Sequence, residues 1–287
     1  MEVFGAIAGS LSIAAMFNNC VTCFEYIQLG RNFGRDYELS QLRLDAARVR
    51  LSRWGEAVNV NQDVRFSSTA DVDDPDIELA RDIFHGIAHC IQTVASASKR
   101  YETGGTRAGR VADLAVFSPD EMTAAGQALH ERATGVATRR RSGTTVLKRM
   151  RWALYEGKAF DATLSQIRSL VDDLEAIFPV EAACRQLAET EVEELTNDPA
   201  SFAALHDSAA DIDPLVHNFT ERKLSLIHGI NRAKLIESKG NSDVHVGQSY
   251  LGKALTGGFN FEDRTTNEVE KIRAGDDSKV QVGNRFG

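Results

Sequence analysis

The stretch NRAKLIESKGNSDVHVGQSYL, residues 231–251, returns near the C-terminus as NEVEKIRAGDDSKVQVGNRFG, residues 267–287. The two copies are offset by 36 residues. The same asparagine, isoleucine, valine or glycine occurs in both copies at Asn231 and Asn267, Ile236 and Ile272, Val244 and Val280, Val246 and Val282, and Gly247 and Gly283. A period of this length is typical of units that stack on one another, so the sequence predicts stacked copies rather than two independent modules.

Charges in the two copies are opposite in sign at the same offset. The pairs are Arg232 and Glu268, Lys234 and Glu270, Glu237 and Arg273, and Asp243 and Lys279. Successive windings of a β-solenoid bring such residues about 4.8 Å apart, where opposite charges attract and like charges would repel. The inversion therefore predicts that the second copy lies in parallel register on the first, with these residues as inter-layer charge pairs.

The uncharged residues of the copies form the predicted amyloid core. It comprises Asn231, Ile236, Val244, Val246 and Gly247 in the first copy and Asn267, Val269, Ile272, Val280, Val282 and Gly283 in the second. The asparagines would form an amide ladder, the valines would alternate inward, and the glycines would allow the chain to turn. Stacked repeats need three or more units, so other molecules must supply the missing layers. The alternative is a duplicated disordered tail whose charges match by coincidence.

The residues before the repeats have the pattern of an all-α globular domain. Hydrophobic residues recur there at helical spacing, and no convincing strand occurs before residue 217. Helices are predicted to open at Pro75, at the capping sequence Ser118–Glu121 and at Asp161, and a further one is predicted over Thr145–Tyr155. In the tail hydrophobic residues thin out, so outside its stacked form it is predicted to be flexible. The predicted domains are therefore residues 1–216, helical, and residues 217–287, which form two β-solenoid windings per chain.

The first helical segment carries no charge from Val3 to Phe24. As a helix this run would be about 33 Å long, close to the thickness of the hydrocarbon core of a bilayer. Its apolar residues, the candidate membrane segment, are Val3, Phe4, Ile7, Leu11, Ile13, Met16, Phe17, Val21 and Phe24. Asn18 and Asn19 are unfavourable in lipid, which favours a helix buried in the domain core. Both interpretations hold if the helix is packed in one state and expelled in another.

Composition and motifs argue against several other classes of function. The net charge of −8 argues against nucleic acid as a partner, and four cysteines are too few for a disulfide framework. Cys20 and Cys23 lack the second pair of a zinc site, and His85 and His89 lack the glutamate of a zinc-protease helix. The basic cluster of Arg139–Arg141 with Lys148, Arg149 and Arg151 is predicted to be a solvated surface or loop, with contact to anionic lipid as the alternative. With no phosphate loop, dinucleotide motif or nucleophile elbow, neither catalysis nor a cofactor or metal is predicted. Without a visible targeting signal, the expected location is the cytoplasm.

Several motifs resemble the fungal HET-s/HET-S proteins of heterokaryon incompatibility. They are the repeats, Phe4-Gly5, Phe17-Asn18-Asn19-Cys20, Cys23-Phe24-Glu25-Tyr26, Gln28-Leu29-Gly30-Arg31, the stretch LSRWGEAV at 51–58, and Trp152-Ala153-Leu154-Tyr155. The resemblance spans essentially the whole chain. It implies a helical HeLo domain followed by a prion-forming domain whose amyloid fold templates other copies. The partners it implies are the chain itself, related prion-domain proteins, or a receptor that carries the same repeat.

The resemblance also implies how such a protein acts. In toxic members of the family, conversion of the tail disrupts the HeLo domain and frees the N-terminal segment to insert into membranes, which kills the cell. Membrane lipid then becomes a partner on activation, with relocation to the plasma membrane. One alternative is an inert prion that only propagates the fold and recruits partners, and another is an enzyme with a duplicated regulatory tail. The chain departs from the family at Lys239 and Gly275, which lack a complementary charge pair, and Asn32 lies where toxic and inert forms differ.

Overall fold

The computed structural model describes residues 11–30, 33, 36–67, 74–103, 116–142, 152–154, 157–196, 198–227, 231–247, 249–250, 266–275, 277–283 and 285–286. The chain divides into two compact units, Met1–Thr220 and Glu221–Gly287. The described residues of the first unit form the helices α1 Ile13–Cys23, α2 Tyr37–Ala57, α3 Val64–Ser67, α4 Pro75–Thr103, α5 Ala124–Arg140, α6 Gly157–Ile177, α7 Glu181–Leu195 and α8 Pro199–Ala209. Helix α9, Pro214–Ile227, begins in the first unit and ends in the second. Because α9 runs across residues 216 and 217, the domain boundary placed there stays a prediction.

Helix α2 lies at the centre of the first unit. It contacts α1, α5, α6, α7 and α8, and most of its residues are buried. The ring of Trp54 near its end lies 6.2 Å from Phe17, 6.3 Å from Phe66, 5.6 Å from Phe84 and 5.7 Å from Phe178, measured between centroids. Tilted and edge-on aromatic contacts of this kind add about 0.5–1.5 kcal/mol each beyond burial. This aromatic cluster joins α1, α3, α4 and the end of α6 to the central helix.

Two short strands lie within the first unit, so the prediction of no strand before residue 217 is wrong. Strand β1, Ile27–Leu29, pairs in parallel with β2, Trp152–Leu154. The helix predicted over Thr145–Tyr155 is also wrong at these residues, since 152–154 form β2; its remaining positions lie outside the described residues. Strands of this length are too short to show the alternating pattern that predicts a strand, and here pairing between distant segments determines the conformation.

The predicted helix starts are right in one case and displaced in two. Pro75 opens α4, as predicted. Ser118 caps only a 3-10 turn, Pro119–Glu121, and α5 begins after Thr123, whose side chain accepts from the backbone N–H of Gly126. Helix α6 begins at Gly157 rather than at Asp161, whose carboxylate instead pairs with Arg43 of α2 at 2.7 Å. The Asp161 side chain, which the local sequence predicts as a helix cap, forms a long-range ion pair instead.

After the end of α9, the described residues of the second unit form short parallel strand pairs. Strand β3 Asn231–Ala233 pairs with β7 Asn267–Val269, β4 Ile236–Ser238 with β8 Ile272–Ala274, β5 Asp243–Val246 with β9 Lys279–Val282, and β6 Ser249–Tyr250 with β10 Arg285–Phe286. Every pair joins the first copy to the second at the offset of 36 residues. Backbone hydrogen bonds between the copies form this ladder. The strands can therefore pair although the tail has fewer hydrophobic residues than a packed core requires.

Candidate assembly surface and helix seat

The strands place the predicted core residues of the two copies opposite one another. In the backbone register Asn231 pairs with Asn267, Ile236 with Ile272, Val244 with Val280, Val246 with Val282, and Ala233 with Val269. Gly247 and Gly283 follow β5 and β9 with φ angles of 155° and 135°, which favour glycine because a Cβ atom is absent. The side chain of Asn231 lies outside the described part of the chain, so the amide ladder stays a prediction.

The charged positions follow the same register. Arg232 pairs with Glu268, Glu237 with Arg273, and Asp243 with Lys279, while Lys234 and Glu270 lie at the bends that follow β3 and β7. At one of these pairs the Nη1 atom of Arg273 donates to the Oε1 atom of Glu237 at 2.8 Å. Both side chains are more than half exposed, so this pair stabilises a single chain by about 0–1 kcal/mol at most. Its main effect is to favour the register in which Glu237 lies opposite Arg273.

Burial is unequal between the two copies. Ile236 in the first copy is 6% exposed, whereas its partner Ile272 in the second copy is 46% exposed. Val282, opposite Val246, is 38% exposed. The second copy covers the first, and nothing within the described residues of the chain covers these side chains of the second copy in the same way. The second copy therefore leaves an apolar, strand-forming surface partly exposed.

Reversal of the observed charge pair should change the growth rate of fibrils. We expect Glu237→Arg to slow seeded growth up to about fivefold, because like charges directly opposite in a sheet destabilise it by about 0.2–1 kcal/mol. The double variant Glu237→Arg/Arg273→Glu should recover most of the loss. Thioflavin T fluorescence with a fixed seed concentration measures the rate. As a matched control, Lys239→Glu reverses a charge whose position in the second copy is the uncharged Gly275, and growth should stay near the parent rate.

Helix α1 is seated on the core through Phe17. Phe17 and Ile13 are fully buried, and the Phe17 ring lies 6.3 Å from Phe84 as well as next to Trp54. Gly55 of α2 faces this ring, and a Cβ atom at Gly55 would lie only 2.2 Å from the Cζ atom of Phe17. Packed interiors have no room for such an approach. The seat for α1 therefore requires glycine at this position.

The end of α1 is held by arginines from two other segments. The Nε atom of Arg48 on α2 donates to the Val21 carbonyl at 3.1 Å, and its guanidinium also binds Glu25. Arg141, directly after α5, donates from Nη1 to the Thr22 hydroxyl at 2.8 Å and lies 3.6 Å from Glu25. These bonds satisfy a carbonyl and a carboxylate at the end of α1 while the helix is packed.

Arg53, fully buried near the end of α2, is held by two buried carboxylates. It donates to Glu191 of α7 at 2.6–3.0 Å and to Asp213, just before α9, at 3.1 and 2.5 Å. Burial alone would lower the pKa of Arg53 and raise that of Asp213. The attraction between opposite charges outweighs burial, so the pKa of Arg53 is raised well above its ordinary value and that of Asp213 is lowered. Arg53 and Asp213 are therefore both charged at neutral pH.

In the run Arg139–Arg141 only Arg139 has the solvated position predicted from the sequence, with a side chain that is 60% exposed, whereas the side chains of Arg140 and Arg141 lie mostly within the domain. Lys148, Arg149 and Arg151 lie outside the described residues. Arg139 binds Glu194, Arg140 binds the buried Glu191, and Arg141 binds the end of α1. Neither Arg53 nor this run was recognised as part of a network from the sequence. The available signal was the group of three arginines Arg48, Arg50 and Arg53 in α2, but arginines on a helix are usually exposed.

Part of the predicted membrane segment is packed in the core. Ile13, Met16, Phe17, Val21 and Phe24 are buried and Leu11 is partly buried against them, whereas Val3, Phe4 and Ile7 lie outside the described residues. In the ranges that the structure describes, no helix has both the length and the apolar character needed to cross a bilayer. What the structure describes is the packed state of this segment, and insertion stays a prediction.

The discounted cysteine and histidine motifs are parts of helices. Cys20 and Cys23 are buried in α1, and burial raises the pKa of the Cys20 thiol to about 12. His85 and His89 belong to α4. No group of three or more metal-ligating side chains is found in the described portion of the chain. The buried thiols are therefore small packing residues while α1 is seated.

A folded helical domain joined to a duplicated, parallel β-stack defines a class of protein in which a folded domain carries a self-stacking tail. Comparisons with known proteins fit this architecture. The HeLo family model, described as prion-inhibition and propagation, matches residues 5–205, and a second model, described as Het-s 218-289, matches residues 223–287. The chain is 44% identical over 286 residues to heterokaryon incompatibility protein S and, equally, to protein s of Podospora anserina, covering 100% of this chain and 97% of each relative.

Solved structures agree on the helical domain. The HET-S N-terminal domain matches with a TM-score of 0.73 and 45% identity, covering 79% of this chain and 100% of that structure. A doubly substituted mutant of the HET-s N-terminal domain matches with a TM-score of 0.69 and 45% identity, covering 75% and 99%. The chain belongs to the HET-s/HET-S family of heterokaryon incompatibility proteins, with a HeLo domain and a prion-forming domain.

Proposed function

We propose that the protein is a self-assembling, prion-like effector of fungal self/non-self recognition. In this proposal, assembly of the tail makes the helical domain release its N-terminal segment into a membrane. The observation that carries it is the parallel stack whose second copy leaves Ile272 46% exposed where Ile236 is 6% exposed. A surface that matches the first copy in register and charge is completed by another first copy. The proposal includes no chemical reaction, because assembly of the tail by itself causes the release of the N-terminal segment.

The partners follow from the charge order of the copies. The first copy of another chain carries Arg232 and Glu237 where the exposed second copy carries Glu268 and Arg273. A second molecule of this chain, a related prion-domain protein, or a receptor with the same repeat supplies that order. Any of these adds a layer with attraction at each charged position.

The membrane step rests on the character of α1 and the residues before it. From Val3 to Phe24 the chain has no charge, and within the described part of this run Phe17 is buried against Trp54 and Phe84. Once unseated, these apolar side chains would face water, and a bilayer provides the alternative environment. The protein would act from the cytoplasm on the plasma membrane, as the family resemblance implies.

The substitution Gly55→Ala tests the membrane step without any fibril. The added methyl group collides with Phe17, and overpacking of a core costs about 1–3 kcal/mol. Each 1–2 kcal/mol raises the population of the unseated state about 5–30-fold. We expect the full-length variant, unseeded, to release a dye from anionic lipid vesicles faster than the parent does. Circular dichroism on the same sample establishes that the helices remain folded.

The matched control is Gly157→Ala, where an added Cβ atom meets nothing within 4 Å. This variant should leave the vesicles as intact as the parent does. The parent itself should release dye once seeds of the assembled tail are added. If seeded parent and folded Gly55→Ala both leave vesicles intact, the membrane step is wrong for this chain.

The second candidate is an inert prion that only propagates its fold. The bonds that hold the end of α1, from Arg48 to Val21 and from Arg141 to Thr22, favour a domain that stays closed. Under this alternative, seeded full-length protein forms fibrils and vesicles stay intact. Deletion of residues 1–24 distinguishes the two: fibrils should form in both cases, whereas dye release should be lost only for the membrane-active protein.

A further inference from the structure

Asp213 binds the start of helix α9 to the centre of the helical domain, next to a second contact from Arg50 to the Ile212 carbonyl at 2.9 Å. The Oδ1 atom of Asp213 accepts the backbone N–H of Val216, at the first turn of α9, at 3.3 Å. The same carboxylate binds Arg53 through both of its oxygens. The repeats follow α9 in the sequence, and Asp213 connects the start of this helix to a cation that is 0% exposed.

A chain of ionic contacts continues from Arg53 toward α5. Arg53 and Arg140 both bind Glu191, so one buried carboxylate is shared between two cations. With Asp213 present, the two cations Arg53 and Arg140 are matched by two carboxylates, Glu191 and Asp213. Without it, Arg53 depends on Glu191 alone, and a buried charge that loses a partner is strongly destabilising.

The next residue along the chain completes the path to α1. Arg141 follows Arg140 directly and binds Thr22 and Glu25 at the end of α1. A parallel route leaves the Arg140 carbonyl, which accepts from Asn61 at 3.1 Å, and Asn61 in turn accepts from Asn18 of α1 at 2.6 Å. Both routes depend on where Arg140 is held.

We propose that Asp213, Arg53, Glu191, Arg140 and Arg141 form a coupling network through which displacement of α9 weakens the hold on α1. Loss of Asp213 draws Glu191 toward Arg53 and away from Arg140. The end of α5 then loses its buried anchor, and Arg141 and Asn61 lose the positions from which they hold α1. These residues are positioning residues. The inference rests on the proposed function only for the role of α1 after its release, namely insertion into a membrane.

The buried thiols of α1 report on this coupling in the soluble, unseeded full-length protein. Cys20 and Cys23 are 2% and 0% exposed while α1 is seated, and Cys90 in α4 serves as an internal reference. Labelling with a maleimide is followed for each cysteine by mass spectrometry. Asp213→Asn keeps an acceptor for the α9 cap but removes the charge. We expect it to label Cys20 and Cys23 about tenfold faster than the parent while Cys90 is unchanged, as local opening predicts.

A double-mutant cycle separates coupling from plain destabilisation. In an Arg141→Gln/Asn61→Ala background, which removes both routes to α1, Asp213→Asn should accelerate labelling of Cys20 by less than about twofold. The matched control Asp161→Asn removes a carboxylate bound to Arg43, another arginine of α2 outside the network, and labelling should equal that of the parent. Equal acceleration of all the cysteines, or the same tenfold effect in both backgrounds, would overturn the proposal.

A second variant keeps the test decisive if Asp213→Asn does not fold. Arg140→Gln removes a more peripheral member, whose side chain is 12% exposed, and should also expose Cys20 and Cys23 ahead of Cys90. Unchanged labelling in a folded Arg140→Gln protein contradicts the network. Because no membrane or seed is present, failure here is distinct from failure of the vesicle assay, which tests the proposed function.

Discussion

Replacing Val280 with proline is expected to abolish fibril formation by the full-length chain. The N–H groups of Lys279 and Gly283 donate to the first copy, to the carbonyls of Ser242 at 2.7 Å and Val246 at 2.9 Å. Successive N–H groups of a strand point to opposite sides, so the N–H of Val280 points away from the first copy. In a fibril it is the donor to the next molecule. Proline has no N–H, and in an interior strand it deletes that ladder bond.

The comparison variant is Val280→Ala, which keeps the N–H group and removes only two methyl groups. We expect it to form fibrils more slowly, with the fibre reflection near 4.7 Å retained. Thioflavin T with added parent seeds and X-ray fibre diffraction provide the measurements. Seeded growth of Val280→Pro at the rate of Val280→Ala would show that β9 is not the strand that receives the next molecule.

Truncation of Arg53 to alanine is expected to be the most destabilising single change in the helical domain. It leaves Glu191 and Asp213, each 2% exposed in its side chain, as buried carboxylates without their shared cation. Breaking a buried pair by removing one partner costs about 3–5 kcal/mol. The whole stability of a domain is about 5–15 kcal/mol, so a loss of this size leaves much of the protein unfolded at modest denaturant.

The neutral triple variant Arg53→Met/Glu191→Gln/Asp213→Asn serves as the control for charge. It removes the three charges together, and we expect it to recover most of the stability lost in Arg53→Ala. Trp54, next in sequence, reports unfolding by its fluorescence in a Trp152→Phe background, because these are the two tryptophans of the chain. An Arg53→Ala protein that unfolds at the parent's denaturant midpoint would mean that the buried charges are solvated after all.

The repeat register could be predicted from the sequence because all matching residues of the two copies are separated by the same offset. Identical residues such as Ile236 and Ile272, and opposite charges such as Glu237 and Arg273, all give the same alignment. Helix α4 could be predicted for a similar reason, since Pro75 is a local signal that needs no distant partner. Its α-helical character follows from periodicity over many residues.

The missed features depend on contacts that sequence order does not contain. Strand β1 exists because β2, more than a hundred residues further along, pairs with it. Asp161 has the composition of a helix cap but binds Arg43 instead. The burial of Arg53 is invisible for the same reason, because its partners Glu191 and Asp213 come from α7 and the loop before α9. Local patterns predict elements, whereas these side chains are placed by packing among elements.

The unequal burial of Ile236 and Ile272 gives any filament of this protein a direction. If every molecule adds its first copy to the exposed second copy of the one before, one end always displays second copies and the other first copies. The two ends then differ in charge order and in exposed apolar surface, so they should elongate at unequal speeds. A single incoming molecule can extend such a filament only in one orientation. A tail with its copies exchanged in order would bind poorly at both ends, because identical copies with like charges would then meet.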